Sequence, residues 1–159
     1  MTKQKTILLT LLLALLLPLH AAKRKNLTGI CRVIDGHATE LNFCSPSIVR
    51  VRVFPGTDTN IQKKSYSVLL KPGQNVTEPI TEEERDGKLK LSSSMLNATL
   101  DLRTGYITFA DNKGKELLQA TGSLFTPCTH EVDHGKYQVR QGFRLASDEA
   151  VYGLGQLRD

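Results

Sequence analysis

The sequence LNATLDLRTGYITFA, residues 96–110, decides the fold because its apolar side chains recur at every second position. The apolar members of the first half are Leu96, Ala98, Leu100 and Leu102, and polar residues stand between them. A period of two is typical of a strand that buries one face and exposes the other. The Thr-Gly pair at 104–105 then predicts a turn. The stretch therefore predicts a β-hairpin.

Working outward, the same pattern continues on the C-terminal side of the hairpin. Residues 111–114 (Asp-Asn-Lys-Gly) are a second turn signal, and they lead into a further strand at 116–120. We therefore expect a three-stranded antiparallel meander.

Alternation also occurs on the N-terminal side, in IVRVRVFP at residues 48–55. Val49, Val51 and Val53 alternate with Arg50 and Arg52, which predicts a half-buried strand. Further strands are predicted at 29–34, 39–43, 66–70, 88–92 and 136–145. Residues 60–65 and 78–87 are predicted to be polar connectors, with the acidic run 82–86 a charged loop in preference to a helical turn.

The order of these segments indicates the fold class. No long amphipathic helix is predicted after residue 22, and many short strands alternate with turns. This arrangement is typical of an all-β protein built as an antiparallel β-sandwich. A turn centred on Asp35-Gly36 would place Cys31 opposite Glu40.

The N-terminus has the features of an export signal. Lys3 and Lys5 precede an apolar run at 7–17, Pro18 ends the run, and Ala21 offers a small residue for cleavage. A membrane anchor is the alternative, but the run is shorter than the roughly 20 residues of a spanning helix. We expect residues 1–21 to be a signal peptide and 22–159 to be one exported domain, periplasmic or extracellular, with no membrane association after cleavage.

Charge gives little support for a nucleic-acid partner. Cleavage after Ala21 would remove two lysines and no acidic residue, so the formal net charge would fall from +5 to +3. Nucleic-acid binding needs a concentrated basic patch. The one dense cluster, at 23–25, is more consistent with a solvated start of the mature chain.

Cysteines and sequons leave alternatives open. Export permits disulfides, and Cys31, Cys44 and Cys128 allow three single bridges or three buried thiols. Asn-x-Thr sequons begin at Asn26 and Asn75 and also at 97. The third one lies within a predicted strand, which favours a sequence that is not glycosylated.

Local motifs do not complete a catalytic or metal site. Cys128, His130 and His134 crowd one segment, yet their spacing fits no standard zinc framework, and a polar surface loop is preferred. Gly153-Leu-Gly155 lacks the third glycine and the βαβ context of a dinucleotide site. Asp148 and Glu149 are interpreted as a turn that ends the preceding strand. The sequence predicts no cofactor and no metal ion.

The segment YQVRQGFRLASDEAVYGLGQ, residues 137–156, resembles the end of the N-terminal β-domain of glycoside hydrolase family 31. The strand at 48–55 and the meander at 96–118 are also similar to that family. The resemblance covers about residues 48–159 and implies a galactose-mutarotase-like β-sandwich. Its closest similarity is to exported α-xylosidases and α-glucosidases.

The resemblance implies functions that this chain does not carry by itself. Members of the family are retaining α-glycosidases, whose two catalytic Asp residues lie on a (β/α)₈ barrel that follows this domain. That barrel and the family's nucleophile motif do not occur in residues 1–159, so no catalytic residue can be assigned. We expect the domain to be an incomplete sandwich, inactive alone, whose carbohydrate partners are α-linked xylosides or glucosides. A free-standing carbohydrate-binding sandwich and a ligand-free interaction domain are the alternatives.

The terminal loop contains the candidate substrate-side residues. By analogy with the family, this loop would pass near the mouth of the barrel, and two glycines would give it unusual backbone freedom. The alternative is that 152–155 folds the strand end against the core. The candidates are Tyr152, Gly153, Gly155, Gln156, Arg158 and Asp159.

Overall fold

The computed structural model describes residues 28–59 and 69–150. Nine strands occur in this part of the chain: β1 Gly29–Ile34, β2 His37–Ser45, β3 Ile48–Val53, β4 Thr81–Arg85, β5 Lys88–Ser92, β6 Leu96–Asp101, β7 Ile107–Asp111, β8 Glu116–Pro127 and β9 Tyr137–Arg144. A single 3-10 turn, Glu131–Asp133, joins β8 to β9. Within these two ranges, no helix has the length and apolarity that crossing a membrane requires. The predicted signal peptide lies outside the described residues.

The strands form two antiparallel sheets, as the sequence predicted. The first has the order β1-β2-β3, and the second has the order β4-β5-β6-β7-β8-β9. Leucine, isoleucine and phenylalanine side chains from both sheets form one buried cluster between them. The expected all-β sandwich is therefore confirmed.

The first hairpin has the register that the sequence predicted. Cys31 pairs with Glu40, and the turn between β1 and β2 is made by Asp35 and Gly36. Both have positive φ, at 49° and 78°. A turn with two successive positive φ angles matches the twist of a two-residue hairpin, and Asp-Gly is a preferred sequence for it.

The six-stranded sheet contains the predicted meander at its centre. Leu100 pairs with Ile107 across the turn at 104–105, and β8 follows β7 as expected. However, β8 continues to Pro127, seven residues beyond the predicted end. Its extension is stabilised by pairing with β9, and the ladder is interrupted between Ala120 and Ser123.

One predicted connector is wrong. Residues Thr81–Arg85, expected to lie in a charged loop, form the edge strand β4. Glu82 and Glu84 pair with Leu91 and Leu89 and so point towards the interior of the sandwich. Arg32 of β1 forms ion pairs with both carboxylates: its Nη2 lies 3.0 Å from Glu82 Oε1 and 3.6 Å from Glu84 Oε2.

Two other predicted segments fall partly or wholly outside the described residues. The connector at 60–65 lies outside them, as do residues 66–68 of the strand expected at 66–70. Leu69 and Leu70 are described and are not in a strand.

The core lies between the two sheets and receives side chains from both. Its largest fully buried side chains are Phe43, Leu41, Leu89, Leu91 and Leu100. Burying a side chain of this size stabilises the fold by about 1.5–3 kcal/mol relative to leaving it exposed.

The last strand of the large sheet is not covered in the same way. In β9, Val139 is 59% exposed and Phe143 is 53% exposed. Phe143 pairs with the core residue Ala120, and Val139 pairs with Phe125. Directly opposed residues share a face, so Phe143 projects from the face of the sheet that carries the core.

Candidate functional site

A groove of about 400 Å³ lies between β3 and the end of the large sheet. Its apolar wall is made by alternate residues of β3 and by side chains from β7, β8 and β9, namely Val49, Val51, Val53, Ile107, Phe109, Ala120 and Phe143. Polar groups enter from the turns and strand ends: Asp35, His37, Thr39, Thr104, Ser123 and Gln141. An apolar cleft with a few polar groups is the usual form of a small-ligand site.

His37 is a polar side chain of the groove whose ring is held in place by two contacts. Its Nδ1 lies 3.1 Å from the carbonyl oxygen of Phe54. A carbonyl oxygen only accepts hydrogen bonds, so Nδ1 carries the hydrogen and Nε2 of the neutral ring is an acceptor. The ring also stacks on Phe125, with centroids 5.2 Å apart and planes inclined by 33°.

The side-chain amide of Gln141 is used within the protein and is not free to bind a ligand. Its Nε2 donates to Gly122 O at 2.9 Å, and its Oε1 accepts from Ser123 Oγ. These bonds hold the interrupted part of the β8–β9 ladder together. The Thr104 hydroxyl is also used, because it accepts from Tyr106 N at 3.3 Å. The groups of the groove that remain for a ligand are therefore the carboxylate of Asp35, Nε2 of His37 and the hydroxyl of Thr39.

No motif in the sequence pointed to His37. Its partner Phe54 lies 17 residues away, and Phe125 lies on the other sheet. No local motif contains all three, so the grouping depends on how the sheets pack.

The predicted substrate-side residues belong to the segment that follows the described part of the chain. Tyr152, Gly153, Gly155, Gln156, Arg158 and Asp159 all lie outside the described residues. The turn that leads towards them is described: Glu149 N donates to Ala146 O at 3.1 Å, and Ala146 N donates to Glu149 Oε2 at 3.1 Å. Asp148 and Glu149 therefore belong to a turn after β9, as predicted.

The Cys-His segment is a loop between β8 and β9. His130 caps the 3-10 turn by accepting from Val132 N at 3.4 Å, and Lys136 pairs with Asp133 at 2.7 Å. Across residues 28–59 and 69–150, no three His, Cys, Asp or Glu side chains form a group that could hold a metal ion.

In the part of the chain that the structure describes, two titratable groups have shifted pKa values, and neither lines the groove. Hydrogen bonds from the backbone N–H groups of Thr104 and Arg103 hold the pKa of Asp101 below its usual value, and they shape the β6–β7 turn. Partial burial, followed by the Glu40 carboxylate, raises the pKa of the Cys31 thiol. Cys31, Cys44 and Cys128 are all free thiols in the structure.

Asn97 lies in β6, as expected. Its Nδ2 donates to Asp111 O at 2.7 Å. The side-chain amide is thus already used in the ladder between β6 and β7.

Two antiparallel sheets around one core, with an apolar groove open at one side, define the class: a β-sandwich of the mutarotase-like type. The chain belongs to the glycosyl hydrolase 31 N-terminal galactose mutarotase-like domain family, whose family model matches residues 38–159. The resemblance seen in the terminal motif is confirmed.

The fold is also similar to that of a solved enzyme. The crystal structure of the GH31 alpha-xylosidase from Xanthomonas citri matches with a TM-score of 0.66 and 28% sequence identity, over 82% of this chain. The match covers 14% of that enzyme. The chain therefore corresponds to one domain of that relative and spans a small part of its length.

Proposed function

We propose that this chain is the N-terminal domain of an exported α-glycosidase acting on α-linked xylosides or glucosides. The observation that supports it most is the family match over 38–159, combined with the structural match to an α-xylosidase. On this proposal the domain supports and shapes a sugar site whose reacting carboxylates lie on a following barrel.

The isolated chain should not hydrolyse glycosides. A retaining mechanism needs two carboxyl groups about 5–5.5 Å apart, one as nucleophile and one as acid and base. The test is release of nitrophenol from aryl α-xyloside and α-glucoside by the purified chain, with a complete family 31 enzyme as the positive control. Clear turnover by the chain would refute the proposal.

Export is part of the same proposal and has its own test. The segment 1–21 would direct a periplasmic reporter enzyme across the membrane, and N-terminal sequencing of the product should begin at Ala22. Substituting Leu12→Arg in the apolar run should retain the reporter inside the cell, whereas Thr2→Ala should leave export unchanged. Export that is insensitive to Leu12→Arg contradicts the signal-peptide interpretation.

A second function, a free-standing carbohydrate-binding domain, is favoured by one observation. The Asp35 carboxylate, Nε2 of His37 and the aromatic ring of Phe143 all line the same groove. Sugar hydroxyls donate to such acceptors, and a ring face packs against the sugar. Titration with xylo- and gluco-oligosaccharides decides between the two: saturable binding that Asp35→Asn and His37→Phe abolish favours the second function.

A further inference from the structure

Thr39 of β2 is a buried polar residue whose side chain reaches the groove. The residue is 4% exposed, lines the groove, and pairs in the ladder with Val53, which lines the same groove. Directly opposed residues share a face of the sheet. The Thr39 hydroxyl forms no hydrogen bond with any residue that the structure describes. Because buried polar groups are normally hydrogen-bonded, this hydroxyl indicates that a ligand with polar groups enters the groove.

Two further polar groups precede Thr39 at every second position and line the same groove. His37 offers Nε2 as an acceptor, because its Nδ1 is bonded to the carbonyl oxygen of Phe54. The ionised carboxylate of Asp35 only accepts hydrogen bonds. The Thr39 hydroxyl can both donate and accept. A ligand that matches this set must therefore supply at least two hydrogen-bond donors.

The charge of the groove sets a second requirement on the ligand. Among the described residues that line the groove, none is lysine or arginine, and Asp35 provides a negative charge. Arg32 lies opposite Thr39 in β1, but its guanidinium pairs with Glu82 and Glu84. An anionic ligand would meet a charge of its own sign without a cation to balance it, and such a juxtaposition is unfavourable. The groove therefore favours an uncharged ligand over an anion.

The size and the apolar wall of the groove limit the ligand further. Its volume of about 400 Å³ is at the lower end of the range of about 300–1,000 Å³ that is usual for small-molecule sites. Val51, Val53 and Phe143 belong to the apolar wall. A pyranose ring carries hydroxyl donors on its edge and C–H groups on its faces. Its edge matches the acceptors of the groove, and its faces match the apolar wall.

We propose that Asp35, His37 and Thr39 bind a neutral pyranoside in the groove and discriminate against sugars that carry a carboxylate or a phosphate. Thr39 supplies the buried hydrogen-bonding group of the site. This inference rests on the second function proposed above, and it deepens that function by naming the class of sugar and a further binding residue.

A matched pair of glycosides tests the charge discrimination. Methyl α-glucoside and methyl α-glucuronide differ only in the hydroxymethyl group that the second replaces with a carboxylate. Titration of the full chain should show that the glucoside binds at least about fivefold more tightly, because the carboxylate of the glucuronide is repelled by Asp35. The difference should narrow in 0.5 M salt.

NMR of side-chain methyl groups during the same titration locates the bound sugar. The Thr39 and Val51 methyl signals should shift as the glucoside saturates the chain. The Thr99 methyl signal is the control, since Thr99 lies on the face of β6 opposite to that of the core residue Leu100, and it should not move.

Variants of Thr39 test the hydroxyl itself. Thr39→Val keeps the shape and the β-branching of the side chain, and it should weaken glucoside binding about two- to tenfold through the loss of one hydrogen bond. Thr39→Ser keeps the hydroxyl and should retain most of the affinity. Thr99→Val is the matched control and should leave the affinity unchanged.

The possible failures separate this inference from the function on which it rests. Equal affinities for the two glycosides, or full affinity in Thr39→Val, would overturn the inference in a chain that still binds sugar. If neither glycoside binds, the second function is refuted together with the inference.

Discussion

Arg32 of β1 reaches the opposite sheet, where its Nη2 donates to Glu82 Oε1 of β4 at 3.0 Å. The two residues are 50 positions apart in the sequence. Glu82 is on the inner side of an edge strand that has no apolar residue. Arg32 supplies a positive charge that pairs with the Glu82 carboxylate. The contact joins the two sheets at the side away from the groove.

The Arg32–Glu82 pair should contribute little to stability. Both side chains are about one-third exposed, at 37% and 31%, and exposed pairs typically contribute about 0.2–1 kcal/mol. A double-mutant cycle with Arg32→Met and Glu82→Gln in urea unfolding should give a coupling free energy below about 1 kcal/mol. It should decrease in 0.5 M salt, because salt screens exposed charges.

The comparison is Arg52 with Glu40, on the outer face of the first sheet. Glu40 is 14% exposed, and the guanidinium also lies 5.2 Å from the ring centroid of Phe54. The Arg52→Met and Glu40→Gln cycle should give the larger coupling. Equal couplings in the two cycles would show that burial does not decide their strength.

The core leucines of the central strands should dominate stability. Leu100 is fully buried between the sheets, and Leu→Ala changes at such sites cost about 2–5 kcal/mol. Leu117→Ala is the matched control, since Leu117 is 53% exposed and should cost within about 0.5 kcal/mol of zero. Chemical denaturation of both variants measures the difference, and similar costs would contradict the assigned core.

The central strands were predictable from the sequence because apolar residues at alternate positions within each strand identify its buried face. Leu96 to Leu102 and Val49 to Val53 alternate without interruption, and glycine-containing turns separate the strands. Pairing then follows from short connections, as the Cys31–Glu40 register shows. Local alternation was therefore sufficient for the fold class.

The edge strand β4 and the end of β8 were not predictable in the same way. The strand sequence around Glu82, Glu83 and Glu84 contains no apolar residue, so it has no apolar alternation to signal a strand. The strand is stabilised by the neighbouring β5 and by Arg32. Beyond Ala120, β8 depends on pairing with β9, which the sequence at 121–127 does not signal. In the groove, His37 is oriented by residues distant in sequence, so its role required the packed sheets.

The β6–β7 turn should make stability depend on acid pH. Asp101 Oδ1 accepts from Arg103 N at 2.9 Å and from Thr104 N at 2.8 Å, and its pKa is lowered in the folded state. A lowered folded pKa contributes stability above the unfolded value of 3.8. That contribution is lost as the pH falls through the folded pKa.

Asp101→Asn keeps an acceptor oxygen and removes the titration. Unfolding curves between pH 6 and pH 2.5 should therefore show the unaltered chain losing its advantage over Asp101→Asn as acid is added. The corresponding change at the exposed Asp86, Asp86→Asn, is the control. An advantage that stays constant over this range would contradict the role of the Asp101 carboxylate.

The three thiols should differ in reactivity. Cys31 is exposed, but its pKa is raised by burial and by Glu40, and the thiolate is the reacting form. Glu40→Gln should increase the alkylation rate of Cys31 by iodoacetamide at pH 8, read by peptide mass spectrometry. Glu82→Gln should not, because Glu82 does not contribute to this shift. Cys44, 1% exposed, should stay unreactive until the chain unfolds.

The N-terminal end of β9 should cause the chain to associate. Tyr137 and Val139 are 43% and 59% exposed on the last strand of the sheet, and exposed apolar side chains beside an open edge promote pairing between chains. Size-exclusion chromatography at micromolar concentration should show species larger than a monomer. Val139→Lys should shift the profile towards the monomer, because a charge on an edge strand opposes such pairing.

Val132→Lys is the control for this prediction. Val132 is 78% exposed, but it lies in the loop between β8 and β9, so the same added charge should have little effect. A sharp monomer peak for the unaltered chain, or equal shifts from the two lysines, would show that this strand end is not an association surface.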